Sequence, residues 1–84
     1  MESMNTITIR FWGITARLAG AEQRVLQLSA GARVADAVEQ LRQDAALSGE
    51  LPRCAYAVGD DMVGLDHPLA DGDELSVLPP VSGG

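Results

Sequence analysis

The sequence predicts an α+β domain: one mixed sheet of four to five strands with one main helix packed across it. Two observations at the chain ends and one in the middle predict this. Apolar residues alternate over residues 6–12 and again over Glu74–Leu78, the period-two pattern of half-buried strands. Between them Val34, Val38, Leu41 and Ala45 recur at i, i+4, i+7 and i+11, one stripe of an amphipathic helix. Gly, Asp and Pro punctuate the intervals, where turns are needed.

Taken in order, residues 6–12 place Ile7, Ile9 and Phe11 on one side and Thr6, Thr8, Arg10 and Trp12 on the other. Residues 13–20 read as a loop bounded by Gly13 and Gly20, with Leu18 tucked inward. Residues 24–28 read as a second strand with Leu26 and Leu28 on the core side, joined to the first as a hairpin. Ser29, Ala30 and Gly31 break that pattern, and the helix begins at Val34. Asp36 in its first turn suits the helix dipole, although no Ser, Thr, Asp or Asn stands just before Val34 to cap it. Gly49 and Pro52 end the helix. Residues 54–58 form a short apolar interior strand, Gly59, Asp60 and Asp61 a turn, and Met62 and Val63 a short edge strand. Residues 66–73 are turn chemistry nearly throughout, and Glu74–Leu78 is the last strand, with Leu75 and Val77 facing the core.

That strand runs directly into residues 79–84, Pro-Pro-Val-Ser-Gly-Gly, so the chain divides into a domain (1–78) and an extended tail (79–84). Pro79 and Pro80 forbid helix and cannot donate to an interior ladder, and Pro80 pushes Pro79 towards an extended conformation. Six extended residues reach about 20 Å. Gly83 and Gly84 present a backbone without Cβ atoms, the shape that lets a terminal carboxylate enter a narrow tunnel in another protein.

Composition narrows the function classes. The 84 residues, 46% apolar and 21% charged, suit one small globular domain with little room for a self-contained enzyme pocket. All six arginines and six acids lie in residues 1–53, so the whole net charge of −6 falls on residues 54–84. Nucleic acid is a poor partner for that surface, and a basic protein groove a better one. No segment reads as a signal peptide or a membrane span, and one cysteine cannot form an internal disulfide, which together predict a cytoplasmic protein. Cys54 in an apolar strand reads as an inert core thiol, His67 between Asp66 and Pro68 as a turn residue. The acids from Asp60 to Glu74 lack the spacing of a calcium loop, and no metal site is expected. The chain has no lysine, which rules out polymers built on its own side-chain amines.

Three segments carry a resemblance: Leu65-Asp66-His67-Pro68-Leu69, Asp71-Gly72-Asp73-Glu74 and the tail from Pro79 to Gly84, with weaker support from Phe11-Trp12 and Leu18-Ala19-Gly20. Together they resemble the small subunits of molybdopterin synthase, ubiquitin-like sulfur carriers with a β-grasp fold. Ala16 and Gly59 depart from that family's pattern, which often has a basic residue and an asparagine there. The resemblance implies that Gly84, following Gly83, is adenylated by an E1-like activating enzyme using ATP and Mg²⁺, then converted to a thiocarboxylate by a sulfur donor protein. It also implies that the tail then enters the large synthase subunit, in a heterotetramer of two small and two large subunits, and gives its sulfur to a cyclic pyranopterin. The carrier supplies no acid, base, metal ligand or bound cofactor of its own. Leu78 alternates out of phase with Leu75 and Val77 and is expected on the outer face beside the tail. Leu78, Pro79, Pro80, Val81 and Ser82, joined by Trp12 where first and last strands are neighbours, are the expected partner-binding residues. Two other readings stay open: a carrier for thiamine or another sulfur-transfer pathway, and a ubiquitin-like interaction module or protein tag.

Overall fold

In a computed structural model, which describes residues 3–80, five strands form one sheet in the order β2-β1-β5-β3-β4. These are β1 (Met4–Phe11), β2 (Gln23–Ser29), β3 (Ala55–Val58), β4 (Asp61–Val63) and β5 (Glu74–Leu78). The β1–β2 hairpin is antiparallel, β1 and β5 are parallel, and β3 is antiparallel to both β5 and β4. The last strand in sequence is thus the middle strand of the sheet, and the predicted neighbourhood of first and last strands is present.

Alternation sets the core. Ile7, Ile9, Leu75 and Val77 are fully buried, Phe11, Leu28 and Tyr56 nearly so. Helix α2 (Val34–Leu41) covers this face with Val34, Ala37 and Leu41. It starts without a side-chain cap from Arg33; instead the Asp36 carboxylate reaches back and accepts the Arg33 N–H at 2.7 Å. The segment from Leu65 to Asp73 fastens this end of the helix to the sheet. The Ala35 and Val34 N–H groups donate to the Leu65 and His67 carbonyls, Leu69 is buried, and Asp71 accepts the Thr6 N–H at 2.7 Å. His67 is the turn residue its neighbours implied.

Two elements differ from expectation. The loop expected at residues 13–20 contains a helix, α1 (Ile14–Ala19). Gly20, which reads as a loop residue, is its left-handed C-cap at φ 71°, where a Cβ would be strained, and its N–H bonds the Ala16 and Arg17 carbonyls. The single helix expected through Ala45 stops at Leu41, and a second short helix, α3 (Ala45–Ser48), follows. Asp44 causes the break. Its backbone is extended, its carboxylate accepts the Ala46 N–H at 3.0 Å as an N-cap, and Arg24 holds the other oxygen at 3.3 Å. Ala45 is therefore exposed, and Leu47 takes the buried place expected of it.

Candidate functional site

The site is the end of the sheet from which the tail departs. The parallel register of β1 and β5 ends at Phe11 opposite Val77, so the next residues along the two strands are Trp12 and Leu78. Leu78 also closes the β3–β5 register opposite Ala55, which leaves Pro79 as the first residue past both ladders. Sheet alternation puts Leu78, Ser76 and Glu74 on the face that no helix covers, with Arg10 and Thr8 of β1. Leu78 and Pro79 are half-buried, Pro80 and Trp12 exposed. Trp12 keeps 46% of its surface free, and the Arg10 guanidinium lies 5.2 Å from its ring centroid, a cation–π contact that helps hold the ring in place. The expected partner-binding set is thus gathered as far as Pro80; Val81, Ser82, Gly83 and Gly84 lie outside the described residues.

Two residues at this end carry no sequence signal for a functional role. Gly13 turns the chain away from β1 at φ 56°, and a Cβ there would stand 3.2 Å from Cγ of Pro79. The backbone of the turn and the base of the tail therefore pack closely together, and a side chain at Gly13 would be strained both by its positive φ and by this approach. Thr15 is completely buried, and with the Tyr56 hydroxyl it is one of the few polar groups in the interior among the described residues. Its Oγ1 accepts the Trp12 N–H at 3.0 Å and lies 2.6 Å from the Trp12 carbonyl and 3.5 Å from the Val77 carbonyl. A threonine two residues past a glycine in a loop-like stretch could have been singled out only by noticing that β1 must end there while β5 continues.

Of the other candidates, Cys54 stands at the tail end of the sheet, next to Ala55 opposite Leu78, whereas Asp71, Asp73 and Glu74 stand at the other end. Cys54 precedes β3, half-buried, with Sγ 3.3 Å from the Glu50 carbonyl. Burial and then the neighbouring Glu50 charge push its thiol pKa up, which disfavours the thiolate that a sulfur relay needs. Tyr56 is pushed up to about 12 by burial, and its hydroxyl donates to the Leu51 carbonyl at 3.1 Å. Of the acidic residues in the carboxy-terminal half, Asp71 and Asp73 accept backbone N–H groups in turns, and Glu74 pairs with Arg10 at 3.9 Å. Glu74 opens β5 and Leu78 closes it, so these charges sit at the opposite end of the strand from the tail, about 15 Å away. Among the described residues no group of three His, Cys, Asp or Glu side chains could hold a metal ion, and no helix is long and apolar enough to cross a membrane.

A sheet with this strand order, one principal helix and a terminal strand at its centre has counterparts among known proteins. The model of the ThiS family matches residues 9–84, from β1 through the end of the tail. The chain belongs to the ThiS family. Its ubiquitin-like β-grasp fold is shared with SAMP1 from Haloferax volcanii, at a TM-score of 0.87 and 25% identity over 95% of this chain and 100% of that one. The molybdopterin synthase sulfur carrier subunit of Escherichia coli is 44% identical over 54 residues, 56% of this chain and 67% of that protein. A chain in the complex of subunits 1 and 2 of the molybdopterin-converting factor from Helicobacter pylori is 30% identical, with a TM-score of 0.71 over 94% of this chain and 99% of that one. Within this ThiS-family chain, the segments that carried the resemblance have two kinds of work. Leu65 to Asp73 builds the fold, and Leu78, Pro79 and Pro80 lead out of it.

Proposed function

We propose that this chain is the sulfur carrier subunit of a molybdopterin synthase, working through a carboxy-terminal thiocarboxylate on Gly84. The observation that supports the reading is the position of β5. The tail is continuous with the central strand, starts beside Trp12 and Leu78 on the uncovered face, and follows the Pro-Pro-Val-Ser-Gly-Gly pattern. The names borne by the Escherichia coli relative and the Helicobacter pylori complex support the same reading.

The chemistry follows from what a carboxylate lacks. It is a poor electrophile until one oxygen becomes a good leaving group. In the proposed cycle an E1-like enzyme supplies ATP and Mg²⁺; a Gly84 carboxylate oxygen attacks the α-phosphorus and pyrophosphate leaves. A persulfide on a donor protein then attacks the acyl adenylate and expels AMP, and a second thiol attacks the donor sulfur of the resulting acyl disulfide, releasing the thiocarboxylate and leaving a disulfide on the donor side. The large synthase subunit, in a heterotetramer of two small and two large subunits, accepts the tail, shields the sulfur from water and passes it to the pyranopterin. This chain contributes the docking face of Trp12, Leu78, Pro79 and Pro80 and the reach of Val81, Ser82, Gly83 and Gly84. The structural likeness to SAMP1 favours, as a second reading, a carrier or protein modifier that uses the same activated tail elsewhere.

The test is incubation with activating enzyme, ATP, Mg²⁺ and a sulfur donor, followed by intact mass for an oxygen-to-sulfur exchange. Deleting Gly84 shortens the reach by about 3.5 Å, beyond the tolerance of positioned reactants. That deletion, or one residue added after Gly84, is expected to abolish the exchange at an unchanged melting temperature, and Gly83→Ala to reduce it. Full conversion of the extended protein without trimming would overturn the reading. Sulfur transfer to the pyranopterin in the presence of the large subunit separates the first reading from the second.

A further inference from the structure

At the tail end of the sheet β1 and β5 part company. β1 ends at Phe11 and the chain turns away through Trp12 and Gly13, while β5 runs on through Leu78. A parallel ladder that loses one strand leaves the other strand's next inward groups without backbone partners. The Val77 carbonyl stands at that point, buried, and the Thr15 hydroxyl lies 3.5 Å from it. The same oxygen accepts the Trp12 N–H at 3.0 Å, and its hydroxyl faces the Trp12 carbonyl at 2.6 Å. The single hydroxyl proton goes to the Trp12 carbonyl, so Thr15 is hydrogen-bonded to the turn that carries Trp12 and is packed, in polar contact only, against the strand that carries the tail.

We propose that Thr15 is a positioning residue, fixing the angle at which the tail leaves the sheet relative to the docking face. This rests on the sulfur-carrier reading and adds to it a residue with no contact to the reacting carboxylate. Three features give Thr15 this role in place of ordinary turn capping. It is fully buried, so water cannot substitute for its hydroxyl. It lies between two elements whose relative placement sets where Pro79 begins, with Gly13 packed against Pro79 on the same side. And Trp12, the residue it holds through both backbone groups, is the most exposed aromatic of the docking face. A domain held by its face but with its tail misdirected binds an activating enzyme normally and reacts less often. The signature is a lower kcat with an unchanged KM.

Thr15→Val keeps shape and removes the hydroxyl, and Thr15→Ser keeps the hydroxyl and removes a methyl group. Full-length wild-type and variant chains are compared as substrates of the activating enzyme with ATP and Mg²⁺, following pyrophosphate release well below each melting temperature. The expected result for Thr15→Val is kcat lower by about five- to tenfold with KM within about twofold, and for Thr15→Ser near wild-type values despite its lost methyl group. A purely structural role predicts a lower melting temperature for Thr15→Val with both constants unchanged, and that outcome overturns the proposal. So does a loss confined to KM. Folding is checked by the amide NMR spectrum. If Thr15→Val does not fold, Thr15→Ala serves in its place, and failure of both to fold overturns a role in direction in favour of one in stability. A wild-type chain that the activating enzyme does not turn over would instead remove the sulfur-carrier reading itself.

Discussion

Replacing Trp12 by alanine is the sharpest test of the docking face, because its effect can be worked from exposure. A tryptophan side chain offers up to about 250 Å², and Trp12 leaves 46% of its surface uncovered. About 115 Å² is then available to a partner, worth about 3 kcal/mol at 25 cal/mol per Å². That corresponds to about a hundredfold in affinity for the large subunit. Leu78 is already half-buried, and covering what remains contributes about 1 kcal/mol, or about fivefold. The structure therefore ranks Trp12 above Leu78. Stability should fall as well, because the part of the ring that the fold already covers is lost with it, on the order of 2–3 kcal/mol by the same conversion, the Arg10 contact included. The assay is calorimetric titration of wild type, Trp12→Ala and Leu78→Ala into the large subunit, with melting temperatures measured alongside. As the single tryptophan of the chain, Trp12 also reports directly: its fluorescence emission should shift to the blue on docking. Unchanged affinity for Trp12→Ala, or a larger loss for Leu78→Ala, would refute the reasoning.

Other expectations concern pH, charge and the thiol. The Tyr56 hydroxyl is raised from 10.0 to about 12 in the folded chain, so the unfolded chain loses its proton first. Its contribution is complete below pH 10 and falls away between pH 10 and 12, by about 2–3 kcal/mol. Denaturant titrations of Tyr56→Phe should lack that part of the alkaline decline, and equal slopes for both proteins would exclude the assignment. At neutral pH the same substitution costs about 1 kcal/mol for the lost bond to Leu51, a melting shift of about 4–8 °C. With a net charge of −6, association with a basic partner groove should slow as salt rises while dissociation changes less; a stopped-flow association rate indifferent to salt would leave the acids a role in turns and solubility alone. Cys54→Ser should leave thiocarboxylate formation intact, since burial and Glu50 both disfavour its thiolate; loss of sulfur transfer in that variant would reinstate Cys54 as a relay.

What the sequence revealed follows the range of each signal. Strand alternation is local and strong, so the inward Ile7, Ile9, Phe11, Leu75 and Val77 were legible, and with them the outward placement of Leu78. The helix stripe was legible only to Leu41. Beyond it an apolar residue still falls at helical spacing, but Asp44 prefers to cap a new helix and is held there by Arg24, a partner twenty residues earlier. Helix α1 was hidden because six residues are too few to display a helical period, and its one fully buried side chain, Thr15, is polar. Of the site, the tail and its neighbours Leu78 and Trp12 could be read because composition marks them. Gly13 and Thr15 could not, because their roles exist only once β1 and β5 are adjacent, a pairing that spans residues more than sixty positions apart.

That same pairing has a consequence for motion. Chain ends ordinarily fray, opening many times for each unfolding of the whole molecule. Here the last strand lies between β1 and β3, bonded on both edges, and its Leu75 and Val77 are at the centre of the core. It cannot detach without dividing the sheet, so the amides of β5 should exchange with solvent only as fast as the entire domain unfolds. The tail, which on the proposed function is offered to a succession of enzymes, is thereby mounted on the segment least able to give way.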